Sequence, residues 1–367
     1  MAYLISLNFI TKVAGGNKVS VILLMNNGYP TEQNPKHSSY IKSIKESLEA
    51  AGHKVELCCL NSNFKGKFQH FLRYLKYYLV IYKNDFSRYD YVLMNHYGHF
   101  SLPIFKSLSK MKQPVIHWHG EDLFPKSSKL NWFFNKSVSA LPAHTKHITP
   151  SNYFKQQLFE KYKIPLTEIF VSPSGGIDTS LFTSSNNSKN KDEVLRLGFG
   201  SGLTAGKGAD FLLKLLENIK QIEKVIGRKI ELHYIYYGAE KNRYDLILQQ
   251  FEQSKRWDVM PSDKMVLFYQ SIDILLFPTA RKQESLGLVS LEAMSCNVPV
   301  LGPNAYAVPE YVQSLKSGEI FMQGDFDDFK KQLIYMATHL SGYHPRVIVI
   351  SNYAKSSVVN FYRQFFS

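Results

Sequence analysis

Residues 272–312 limit what this chain can fold into more than any other stretch. They read IDILLFPTARKQESLGLVSLEAMSCNVPVLGPNAYAVPEYV. The apolar run 272–277, closed by Pro278, suits a strand buried on both faces of a parallel sheet. A polar loop, 279–285, follows, and Gly287 then opens a helical pattern through Leu288, Leu291, Glu292 and Cys296. Residues 298–301 form a second buried strand, stopped by Gly302-Pro303. Strand, loop, helix and strand make one βαβ unit, with a helix N-terminus at the strand's carboxyl end, where open α/β sheets bind ligands and free amides attract phosphate. Glu284 stands just before that helix and Glu292 lies two turns inside it.

Glu284 and Glu292 enclose seven residues, with Gly287-Leu288-Val289 between them and Glu292-Ala293-Met294 closing the string. Together with Pro278 before and Pro309-Glu310 after, this resembles the E-x7-E signature of the retaining glycosyltransferases of family 4. The resemblance implies the GT-B fold: α/β, two Rossmann-like doubly wound domains facing across a cleft, with a C-terminal helix crossing back to the first domain.

At 367 residues the chain exceeds one ordinary core, so two domains are expected. Residues 1–17 read as an N-terminal extension and 18–182 as a first domain on the acceptor side. The polar, aperiodic segment 183–193 (TSSNNSKNKDE) is a linker. Residues 194–350 then read as a second domain that binds the nucleotide sugar, and 351–367 as a terminal helix packing back on the first. Three cysteines offer no disulfide framework, and no apolar run reaches the roughly 18 residues of a spanning helix. The expected location is cytoplasmic, with peripheral attachment to the cytosolic face of a membrane as a further possibility. The net charge of +14 suits phosphorylated substrates or an anionic membrane. It suits nucleic acid less, because the basic residues are dispersed and no nucleic-acid-binding motif is visible.

In the first domain, residues 19–25 are a strand and 38–50 a helix that Gly52 ends; the next strand is 55–60. The family usually has a glycine-rich loop before this helix, whereas residues 34–39 here read NPKHSS. Residues 64–82 (FKGKFQHFLRYLKYYLVIY) place Phe68, Phe71, Leu72, Leu75, Leu79 and Tyr82 on one helical face amid lysines and arginine. Two readings stand: a helix in the interface of an anionic membrane, or a helix laying that face on the sheet. The strand at 114–118 runs into His119-Gly120-Glu121-Asp122. This resembles the family's position for a histidine facing the transferred sugar, against the simpler reading of a histidine satisfied by its own backbone. His117 alternates to the other strand face and reads as structural. The spacing here is no recognised metal site, and the resemblance implies no metal requirement.

The second domain opens with a strand at 195–199 and the loop Gly200-Ser201-Gly202-Leu203-Thr204-Ala205-Gly206-Lys207-Gly208. A P-loop fails at Ser201 and Gly208, and a dinucleotide fingerprint lacks its third glycine. The family's loop instead holds the donor diphosphate with an arginine and, five residues later, a lysine. Lys207 matches the lysine, but Gly202 stands where the arginine belongs, and Arg281 or Lys282 is a candidate substitute. Gly238 resembles the family's turn under the nucleotide. Asp325-Phe326-Asp327 is a literal D-x-D, here read as a helix cap.

The resemblance then implies a retaining hexosyltransferase with a UDP- or GDP-linked sugar as co-substrate and no other cofactor. Its acceptor is expected to be a glycan or lipid-linked glycan, as in bacterial surface polysaccharide (lipopolysaccharide O-antigen or capsule) synthesis. Glu292 is expected at the ribose hydroxyls and Glu284 at the transferred sugar. Ser285 and the amides of Gly287, Leu288 and Val289, with Lys207, are expected at the diphosphate, and His119 opposite. The rival reading is a non-catalytic GT-B-like binding protein, motivated by Gly202.

Overall fold

The computed structural model describes residues 19–30, 38–60, 67–99, 104–124, 128–185 and 193–367. The expected extension 1–17, most of the NPKH segment's loop and the middle of the linker lie outside these.

The first sheet contains β1 (Val21–Asn26), β2 (Lys54–Cys59), β3 (Tyr91–Asn95), β4 (Pro114–His117), β5 (Lys146–Thr149) and β6 (Ile169–Val171). All are parallel, in the order β2-β1-β3-β4-β5-β6. Both faces are covered, which is why the central strands read as unbroken apolar runs. Helix α1 (Ser39–Ala50) covers one face through Ile41, Ile44 and Leu48. The other face carries α2 (Lys67–Lys83), a single turn α3 (Gly120–Leu123), α4 (Ser128–Ser139) and α5 (Asn152–Tyr162).

The second sheet repeats the scheme with β7 (Val194–Phe199), β8 (Lys229–Ile235), β9 (Ser254–Trp257), β10 (Ile274–Leu276), β11 (Val300–Pro303) and β12 (Gly318–Phe321), in the order β12-β11-β10-β7-β8-β9. The long amphipathic α6 (Ala209–Ile226), capped by Gly227 in a left-handed conformation, packs on one face. Helices α7 (Lys241–Leu248), α8 (Met265–Gln270) and α9 (Leu288–Ser295) follow in chain order, and α8 and α9 cover the opposite face. Helix α10 (Phe326–Thr338) starts at Asp325, whose carboxylate accepts from the amides of Asp327 and Asp328 at 2.9 and 3.0 Å. The D-x-D is a helix cap.

The terminal helix expected over 351–367 is α12 (Lys355–Phe365), which starts four residues later; a break at Tyr353-Ala354 separates it from the preceding α11 (Pro345–Asn352). Ala354 makes a β-bridge with Ile177, and that pairing requires the break. Helix α12 lies beside α1 in the first domain, with Val358, Tyr362 and Phe365 in its core and Lys355 bonded to Glu46 at 2.6 Å.

Helix α2 covers the sheet, as one of the two readings expected, but through a different face. It packs through Tyr77 and Ile81, whereas Phe71, Leu75, Leu79 and Tyr82 of the expected inner face are exposed. The helix is apolar on more than one side, and the flatter tyrosine-isoleucine face is the one buried.

Each sheet has a point where the strand order reverses: between β1 and β3 in the first, between β7 and β10 in the second. Loops leaving the carboxyl ends of such strand pairs diverge and leave a crevice. Lys207 follows β7 and Glu284 follows β10.

Candidate functional site

A cleft of about 250 Å³ lies between the domains. From the first domain Tyr40, His119 and Ser174 line it; from the second, Lys207, Phe277 and the run 284–289.

The floor is built by glycines at close approaches. Gly208 (φ +84°) lets the start of α6 meet Pro278, where an added Cβ would stand 2.0 Å from the Pro278 carbonyl oxygen. The loops after β7 and β10 are locked further by the Ala280 amide, which donates to Gly206 at 3.0 Å. That packing carries Lys207 to Glu284, and the two form an ion pair. Thr279 Oγ1 donates to the same carboxylate at 3.5 Å. Gly287 (φ +78°) precedes α9, where a Cβ would clash with the Tyr311 hydroxyl at 2.3 Å. The first amides of α9 therefore open beside Glu284 and Lys207, an arrangement suited to an anion.

Opposite, His119 follows β4. Asn95 Nδ2 donates to the Met25 carbonyl at 3.2 Å, which leaves its Oδ1 to accept from His119 Nε2 at 3.0 Å. The His119 amide donates to Asp122 at 3.2 Å. Burial, with His117 and His96 nearby, holds its pKa well below the usual histidine value, so the ring is neutral. It enters the cleft with the rings of Tyr40 (4.7 Å) and His96 (4.8 Å) tilted against it and with Nε2 already engaged. His117 does not turn to the other strand face as expected: two residues before His119, it shares that face, its ring 4.6 Å from the His119 ring. It is fully buried, and burial lowers its pKa to about 3.

The structure thus brings His119, Lys207, Glu284, Ser285, Gly287, Leu288 and Val289 to one cleft. The other expected residues stand outside its lining. Glu292 is one helical turn beyond, accepting from the Tyr269 hydroxyl at 2.7 Å, and burial pushes its pKa up to about 7. Gly202 and Gly238 meet where the Leu203 amide donates to Tyr237 at 2.6 Å. The stem of Arg281 lies over Gly206, next to Lys207, and Lys282 is exposed.

Sequence reasoning missed Tyr40, Ser174 and Tyr311. Tyr311 is fully buried, with its hydroxyl at the Gly287 turn, although it lies inside the stretch singled out at the start. A tyrosine at a core spacing gives no signal of this. It also missed the contacts that join the domains. Glu310 accepts from the α5 amides of Asn152 and Tyr153 at 2.9 and 2.6 Å, and the Tyr153 and Tyr306 rings meet at 5.8 Å. Gly120 abuts Gln283, where a Cβ would lie 2.4 Å from the Gln283 carbonyl oxygen. Among the described residues no group of three histidine, cysteine or carboxylate side chains is placed to hold a metal.

Residues 182–339 match the family Glycosyl transferases group 1, so the second domain is a domain of that group. A Klebsiella pneumoniae protein described as an uncharacterized 41.2 kDa protein in the cps region is 24% identical over 313 residues, 79% of this chain and 82% of its own length. The sulfoquinovosyl transferase SQD2 of Arabidopsis thaliana is 36% identical over 72 residues, 19% of this chain and 14% of its own. Among solved structures, sucrose-phosphate synthase from Thermosynechococcus elongatus superposes with a TM-score of 0.73 at 15% identity, covering 95% of this chain and 99% of that one. The lipopolysaccharide outer core galactosyltransferase WaaB (TM-score 0.65, 14% identity, 94% and 99% covered) shares the fold. So does Anabaena HepE in complex with UDP-glucose (0.65, 15%, 94% and 99%). The fold is GT-B.

Proposed function

We propose that this chain is a retaining glycosyltransferase that moves a sugar from a UDP- or GDP-linked donor to a glycan acceptor. One observation carries the reading. Lys207 and Glu284, 77 residues apart, are ion-paired at the carboxyl ends of the two strands flanking the reversal point, beside the free amides of α9.

A donor diphosphate seated at the α9 N-terminus competes for Lys207 and takes over its charge. Negative charge then grows on the leaving phosphate oxygen as the anomeric C–O bond breaks, and Lys207 with the α9 amides stabilises it. An acceptor hydroxyl oxygen forms the new bond to the anomeric carbon, and its proton passes to the departing diphosphate. Glu284, released from the lysine, faces the sugar's hydroxyls as an acceptor. No covalent role is assigned to it. Glu292, one turn deeper, accepts from the ribose hydroxyls, and His119 closes the sugar's far side as a neutral ring. Retention at the anomeric carbon rests on the E-x7-E resemblance.

The acceptor we propose is a growing surface polysaccharide on a lipid carrier. The relative encoded in a cps region and the galactosyltransferase of like fold support it. A UDP donor is supported by the UDP-glucose complex of like fold. Gly202, in place of a phosphate-binding arginine, favours the rival reading of a GT-B-like protein that binds without transferring.

Thermal-shift screening of nucleotide sugars tests the first step, since a true donor at 100 times its Kd stabilises by about 2.7 kcal/mol. Release of free nucleotide from that donor, abolished by Glu284→Gln, separates the two readings. Stabilisation without turnover under any acceptor supports the rival, and no stabilisation by any nucleotide removes both.

A further inference from the structure

We propose that the outward face of α2, with the groove between α2 and β2, is a docking surface for a bilayer rich in anionic phospholipid. This deepens the lipid-carried acceptor suggested above.

Four observations on the same patch lead there. Phe71, Leu75, Leu79 and Tyr82 recur at helical spacing and are 63, 46, 49 and 67% exposed, with Leu72 and Val80 exposed beside them. A continuous apolar stripe of this kind on a helix that already has a buried face calls for an occupant. The helix carries no acidic residue from 67 to 83, while Arg73, Lys76 and Lys83 flank the stripe. The groove next to it, about 570 Å³, is lined by Arg73 and Lys76 together with Leu57 and Val80. Within it, Arg73 Nε is buried without a hydrogen-bond partner. That nitrogen is out of a lipid's reach, but the guanidinium that carries it lines the groove beside the Tyr74 ring, where a phosphate oxygen can pair with it.

The neighbouring charges sharpen the assignment. Arg88 also lines the groove, but Glu56 takes it at 2.9 Å, and Glu56 accepts from the Tyr89 hydroxyl at 2.9 Å as well. Asp85, just past the helix, is tied to the Ser87 amide and hydroxyl at 3.1 and 2.7 Å. Arg73, Lys76 and Lys83 are therefore the charges that a headgroup layer meets. Apolar side chains edged by cations, on a helix lying flat, match the layered chemistry of a membrane interface: acyl chains below, phosphates along the basic edge. Among the described residues no helix is long and apolar enough to cross a membrane, so attachment by this surface is lateral.

Flotation of the full chain with phosphatidylglycerol vesicles, against phosphatidylcholine vesicles, tests this. Binding is expected to the anionic vesicles only, and to fall away by 0.5 M NaCl. The double variant Leu75→Glu/Leu79→Glu, both sites exposed, is expected to lose at least tenfold in affinity with unchanged melting. Arg73→Gln and Lys76→Gln are each expected to lose about fivefold. Absence of binding to anionic vesicles at low salt overturns the proposal, as does binding that ignores all four substitutions. A stripe variant that dissociates a dimer in light scattering while leaving vesicle binding intact also overturns it, because a second copy then covers the stripe. Nucleotide-dependent stabilisation is measured in the same samples. Its absence strikes both readings of the cleft and leaves the docking surface standing, and its persistence in the stripe variant keeps cleft and surface separate.

Discussion

Glu292 is the residue whose titration reports whether the site works as proposed. Burial lifts its carboxyl from 4.5 to about 7, against the opposing hydrogen bond from Tyr269. A raised carboxyl means that the folded protein prefers the protonated form. Its contribution to stability is present below about pH 4.5 and is lost as pH rises through about 7. The difference of about 2.5 units corresponds to roughly 3 kcal/mol, an upper bound because Glu292 keeps some solvent contact. Glu292→Gln is therefore expected to stabilise the free protein at pH 8 and to leave it nearly unchanged at pH 4.5. Ribose hydroxyls donate to the carboxylate and so favour the ionised form. With a pKa near 7 the ionised fraction rises about tenfold between pH 6 and 8. Donor affinity is expected to rise by about the same factor over that range, with roughly half a proton released per nucleotide sugar bound at pH 7. Titration calorimetry in two buffers of different ionisation enthalpy measures this, and a nucleotide sugar is the right ligand because its diphosphate diester does not titrate there. Affinity flat from pH 6 to 8, or unchanged in Glu292→Gln, refutes the placement of Glu292 at the ribose.

Lys207→Gln removes the cation beside the α9 amides and is expected to lower kcat by about 10²–10³-fold, measured as nucleotide release at saturating donor. Arg281→Ala is expected to cost about 10- to 100-fold in turnover while Lys282→Ala costs nothing, and the substitute-cation idea fails if both leave turnover unchanged. Gly120→Ala introduces a methyl about 2.4 Å from the Gln283 carbonyl oxygen and must push the domains apart on that side. Steady-state kinetics are expected to show lower kcat/KM for the acceptor with donor Kd unchanged, and an equal loss in donor binding would contradict the assignment of Gly120 to the domain contact.

The parts legible in the sequence were those with strong local signals. The buried strands β1, β7, β8 and β10 are apolar runs between turn residues, and α1 and α6 carry one-sided periodicity with glycine at or just past their ends. The edge strands of the second sheet were not legible: β9 (Ser254–Trp257) is polar, and β12 (Gly318–Phe321) begins on a glycine. They exist because neighbours at the sheet's edges offer hydrogen bonds. Helix α4 was missed for a different reason, since its residues SKLNWFFNKSVS include weak helix formers that tertiary packing of Phe134 and Val138 overrides. Of the cleft, the residues on one contiguous stretch were readable, with Lys207 through its loop and His119 through the motif after β4. Tyr40 and Ser174 arrive from elements whose sequences say only helix and turn, because proximity across a cleft leaves no local trace.

The geometry around Gly202 changes what its missing side chain means. A Cβ there would sit 3.3 Å from the Tyr237 ring and 3.4 Å from Gly238 Cα, so Tyr237 already occupies the direction a longer residue would take. Gly238 (φ +115°) is forced in turn, since a Cβ on it would lie 2.6 Å from the Leu203 amide nitrogen. The two glycines and the Leu203–Tyr237 hydrogen bond form one tight contact between the loops after β7 and β8. An arginine at 202 would have to displace Tyr237 before reaching a phosphate. On the other side of Lys207, Gly206 has no side chain and the stem of Arg281 lies across it, where an added Cβ would be 3.4 Å from Arg281 Cγ. A larger residue at 202 thus requires Tyr237 to shift, whereas beside Gly206 the stem of Arg281 is already in place. If Arg281 replaces the arginine absent at 202, it and Lys207 both depend on the contact between the loops after β7 and β10, and Arg281→Ala tests that dependence.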